Sequence, residues 1–61
     1  MKKLVDVQVT DLVIELTWMD LDPLPPRQWS ERRVFIAGEA NYCEAEAKKF
    51  REFLAAGTAV D

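Results

Sequence analysis

The sequence predicts an α+β fold: a small three-stranded antiparallel sheet packed on one C-terminal helix, in the order β-β-β-α. Three observations lead there. Two neighbouring segments near the start alternate apolar and polar residues, the period of a half-buried strand. A helical stripe of apolar residues closes the chain. Between them lies a proline-rich break that neither helix nor sheet interior tolerates.

The first strand runs from Leu4 to Val9. Val5, Val7 and Val9 form one row and Asp6 and Gln8 the other, with β-branched residues where strands favour them. From Leu12 to Trp18 the alternation continues in the opposite parity, with Leu12, Ile14, Leu16 and Trp18 as the apolar row. The parity changes at Thr10-Asp11, and two devices can change it. A two-residue hairpin sets Val9 opposite Leu12, Val7 opposite Ile14 and Val5 opposite Leu16. A bulge near Thr10 in one long strand also switches the facing side. The matched apolar rows favour the hairpin, although Thr-Asp is a poor tight-turn pair beside Asn-Gly.

Asp20 to Gln28 carries Pro23, Pro25 and Pro26 and reads as an extended connection. A third strand is expected over Arg32 to Ala37, with Val34 and Ile36 on one side and Arg33 and Phe35 on the other; Gly38 ends it. Cys43, Ala47, Phe50 and Leu54 then recur at helical spacing. Asn41 and Glu44 fit a capping box, and a start nearer Glu39 is the alternative. Acids early and bases late suit the helix dipole, and Gly57 suits the C-terminal stop. The tail from Thr58 to Asp61 is expected to fray.

A chain of 61 residues has room for a single small domain, residues 1–61. A domain of this size buries only about 60% of the surface its unfolded chain exposes, so its stability is marginal. One cysteine and no histidine exclude an internal disulfide and a closed zinc site. Self-association is the remaining source of stability, and an apolar fraction of 49% suits it. The lone cysteine and the charges that interrupt the segment after Lys3 point to the cytoplasm rather than to export. No stretch approaches the ~18 apolar residues of a membrane helix.

The net charge is −3, and its distribution says more than its sum. Between Lys3 and Arg27 there is no base, while Asp6, Asp11, Glu15, Asp20 and Asp22 are acidic. This argues against binding a nucleic-acid backbone, which needs clustered Lys and Arg. It suits a protein partner with a basic surface.

No residue pattern supports catalysis, and no cofactor or metal is expected. General acid–base chemistry would fall to carboxylates at solvent-facing positions. Cys43 near a helix N-terminus could be an activated thiol, but it lies on the apolar stripe and reads as core. Asp20-Leu21-Asp22 offers two carboxylates without the further oxygens and glycine of a calcium loop. Pro23 to Arg27 contains P-x-x-P beside an arginine, a pattern any short proline loop produces.

The aromatic and sulfur-bearing residues carry more. Val13, Met19, Phe35, Tyr42 and Phe53 fall outside the core rows, which implies a second covered surface. Trp18, Met19, Leu24, Trp29 and Phe35 are the candidates for its apolar centre, since Trp and Met are favoured there. The expected function is therefore non-enzymatic: a small acidic protein that acts by occupying a protein partner, as an inhibitor or adaptor. Phage-encoded inhibitors of bacterial defence share this size and acidity, a likeness of composition alone. One alternative is a homo-oligomer that sequesters or senses a small anionic or nucleotide-like ligand through Arg27, Arg32 and Arg33, whose guanidinium groups bind anions in bidentate fashion. Another is a structural subunit of a larger assembly.

Overall fold

The computed structural model describes all residues from Met1 to Asp61. Its elements are β1 (Lys2–Thr10), β2 (Val13–Asp20), β3 (Arg27–Val34), a 3-10 turn (Ala37–Glu39), α1 (Ala40–Ala56) and β4 (Ala59–Val60). The fold is α+β, with an antiparallel sheet in the order β3-β2-β1-β4 and one C-terminal helix. The three expected strands are joined by a short fourth. The tail expected to fray instead returns to the sheet, Ala59 opposite Lys3 and Val60 opposite Lys2. Gly57 makes this return possible. Its left-handed φ of 66° ends α1, and its N–H donates to the carbonyls of Phe53 and Leu54.

β1 and β2 form the expected hairpin, with the turn one residue later than Thr10-Asp11. Thr10 pairs with Val13, so Asp11 and Leu12 make the turn. Asp11 takes a φ of 53°, a conformation aspartate tolerates better than most residues with a side chain. The partners of Val9 and Val7 therefore move by two, to Ile14 and Leu16. A bulge exists as well, at Val5 rather than at Thr10. Leu4 pairs with Trp18 and Asp6 with Thr17, leaving Val5 without an opposite residue. The extra residue lets Leu4 and Val7, three apart, face the same side.

That side holds the core. Leu4, Ile14, Leu16 and Trp18 meet Cys43, Ala47 and Phe50 of α1, and these seven are the only buried residues of the 61. Phe35, Phe53 and Leu54 pack against them while remaining partly exposed. α1 begins at Ala40, so Asn41 lies inside the helix and is not its cap. Glu39 precedes it, and its carboxylate accepts the N–H of Ile36 at 3.0 Å.

β3 departs furthest from expectation, starting at Arg27 rather than Arg32 and ending at Val34. It pairs with β2 along its full length, Trp29 opposite Trp18 and Arg32 opposite Glu15. The backbone of α1 runs over β1 and β2 and does not approach β3. Both faces of β3 therefore stay wet, and neither shows an apolar row. The molecule measures 42 × 19 × 16 Å with a radius of gyration of 12.6 Å. A compact chain of this length would have about 10.5 Å, and the excess reflects an elongated molecule whose long axis is more than twice either other axis.

Candidate functional site

The uncovered flank follows from strand parity. Residues of β3 opposite the inward row of β2 face the helix side, which places Trp29, Glu31 and Arg33 there. Gln28, Ser30, Arg32 and Val34 face the other way. Two surfaces result. One is the free edge of β3 with the apolar segment that follows it. The other is a groove between the sheet and α1, lined by one residue from each of the four strands and four from the helix.

Along the edge, eight residues of β3 have a hydrogen-bonded neighbour on the β2 side only. Beyond its end lie large apolar groups in the open: Val34 is 72% exposed, Ile36 70% and Tyr42 60%. The ring of Tyr42 lies 5.7 Å from that of Phe35, which extends the patch from the strand end onto the helix. The N–H of Phe35 donates to the carbonyl of Leu12 at 2.8 Å, anchoring this end to the hairpin turn.

The groove has a volume of about 580 Å³ and an aromatic floor formed by Trp18, Phe50 and Phe53. Trp18 and Phe53 meet edge to face, with ring centroids 6.2 Å apart. Lys2, Arg33 and Lys49 stand around that floor, and Glu52 is the only carboxylate among the lining residues. The ammonium of Lys2 sits 4.6 Å from the Trp18 ring centroid, Arg33 4.9 Å from Phe50, and Lys49 5.9 Å from Phe50. These are cation–π distances. Arg33 also lies 3.4 Å from Glu31 and 3.7 Å from Glu46. Glu46 Oε2 is buried and accepts no hydrogen bond, so the Arg33 charge is its compensation. The indole N–H of Trp18 is likewise buried without an acceptor.

The residues singled out in the sequence do not gather on one surface. Trp18 is in the core and Trp29 stands directly opposite it on β3. Met19 belongs to the outer row of the sheet, since its cross-strand partner is Gln28. Leu24 is 92% exposed in the proline loop. Phe35 lies at the far end of β3, beside Tyr42. The three arginines also separate. Arg27 is opposite Asp20, Arg32 is on the outer face 3.7 Å from Glu15, and Arg33 alone enters the groove. Sequence reading missed Lys2 and Lys49 as partners of Arg33. Only strand order and the helix position bring residues 2, 33 and 49 together, and no local pattern announces that.

No group of three or more His, Cys, Asp or Glu side chains is arranged to hold a metal ion. No helix is long and apolar enough to cross a membrane. Neither a protein-family model, nor a curated protein, nor a solved structure matches the chain significantly.

Proposed function

We infer that this is a non-enzymatic binding protein that acts by occupying a protein partner, and that it docks through the free edge of β3. The observation that carries this is the uncovered flank itself. An eight-residue strand is unpaired on one side and runs into Val34, Ile36 and Tyr42, all more than half exposed. Main-chain groups along such an edge supply affinity to an added strand, and flanking side chains supply selectivity. A fold with only seven buried residues gains most from covering that flank. No arrangement of titratable groups favours a catalytic reading over this one.

Photo-crosslinking in the cell that naturally makes the protein tests the reading. A benzoylphenylalanine at Val34 is expected to give a discrete protein adduct, and the same group at exposed Lys48 on α1 none. An adduct of twice the chain mass would identify the partner as a second copy. Absence of adduct at Val34, or equal adducts at both positions, would overturn the docking surface.

A further inference from the structure

We propose that the groove between the sheet and α1 binds a small amphipathic anion: a flat apolar body carrying a carboxylate or phosphate. This goes beyond the docking surface, since the groove opens on the helix side and draws on the helix and on strands from both sides of the sheet.

The argument rests on which charges are already answered. Arg33 is answered by Glu31 and Glu46. Lys2 and Lys49 are not, as no carboxylate lies within ion-pair distance of either. Each ammonium is held over an aromatic ring, yet a lysine head has three donors, and a ring face does not use them all. The groove thus presents two unanswered cations beside an aromatic floor, against the single carboxylate of Glu52. In a chain of net charge −3 the attraction for an anion is local to this groove. Its volume of about 580 Å³ falls in the range of roughly 300–1,000 Å³ typical of small-molecule sites. The ammonium groups stand over the rings, so the pairing suits an apolar plate with an anionic group: the plate takes the ring face that an ammonium now covers, and the anion takes the displaced ammonium.

Lysines can also sit over aromatic rings merely to shield them from water. Titration of the isotope-labelled protein with 2-naphthyl phosphate and 2-naphthoate, followed by amide and indole NMR, separates the two roles. Saturable binding is expected, with a Kd of roughly 1 mM or tighter. The shifts should be confined to the lining of the groove: Lys2, the Trp18 indole, Arg33, Lys49 to Phe53 and Val60. Lys2→Gln and Lys49→Gln should each weaken binding by about three- to tenfold while spectral dispersion is retained, with Lys48→Gln neutral. Preference for phosphate or for carboxylate names the anionic group. Equal affinity for neutral 2-naphthol, equal affinity for inorganic phosphate alone, diffuse shifts, or an unaffected Lys2→Gln/Lys49→Gln double variant would each overturn the proposal.

Discussion

Truncating Leu16 to alanine is expected to unfold the protein, whereas Val34→Ala should barely register. Leu16 is fully buried at the centre of the sheet, between Val7 on β1 and Glu31 on β3. Removing a buried leucine side chain costs about 2–5 kcal/mol, the upper part where the site cannot collapse. A chain of 61 residues has a total stability of about 3–9 kcal/mol at the usual 0.05–0.15 kcal/mol per residue. With seven buried residues, this one belongs at the low end. The two figures nearly cancel. Val34 is 72% exposed, and such surface changes stay within about 0.5 kcal/mol. Urea titration followed by tryptophan fluorescence and circular dichroism, at low protein concentration, measures both. A Leu16→Ala protein within about 1 kcal/mol of the parent would refute the account of the core. A Val34→Ala protein that lost as much as Leu16→Ala would show that this side chain is covered in solution. Its loss should then grow with protein concentration in the parent comparison.

Gly57→Ala forces a left-handed φ of 66° on a residue with a Cβ, in otherwise open space. A loss of about 1 kcal/mol is expected, with faster amide exchange at Ala59 and Val60; unchanged exchange would mean that β4 does not depend on this turn. The amine of Met1 is held above its ordinary value of 8.0, chiefly by its hydrogen bond to the Asp22 carboxylate and then by the charges of Asp22 and Asp20. A group whose pKa is raised by folding contributes fully below its unfolded value. The tie between the N-terminus and the Asp20–Asp22 turn should therefore be intact below about pH 8 and be lost as pH rises through the raised value. The Asp22 amide shift reports it by NMR, and the same alkaline titration in an N-acetylated chain would refute the assignment.

Much of this architecture was legible because each well-read element has one buried side. Ile14, Leu16 and Trp18 alternate because α1 covers that face of β2, and Cys43, Ala47 and Phe50 mark the stripe that covers it. The hairpin was legible, but its register was not. Leu12 carries an apolar side chain into the turn, so the pattern of apolar residues placed it in the strand. The bulge at Val5 was hidden for a related reason: a run of alternating valines looks the same whether or not one of them lacks a partner. β4 has two residues, too few for any periodicity, and exists because Gly57 redirects the chain toward Lys2 and Lys3. The groove was illegible in principle, since Lys2, Arg33 and Lys49 meet only through strand order.

β3 was misplaced for the reason that makes it the candidate docking element. A strand is recognised in sequence by the face it buries, and β3 buries neither within this chain. Its helix-side row of Trp29, Glu31 and Arg33 and its outer row of Gln28, Ser30, Arg32 and Val34 look like loop chemistry. The arrangement is not neutral, however. Charged side chains along an open edge oppose indiscriminate strand pairing. Glu31, Arg32 and Arg33 form a charged run in the second half of β3. Apolar groups flank that run, Trp29 before it and Val34, Ile36 and Tyr42 beyond it. An incoming strand must therefore answer a fixed order of charges before it reaches the apolar contacts. On this reading the charges set which partner pairs and the apolar ends set how tightly, and changing the two classes separately should shift specificity and affinity separately.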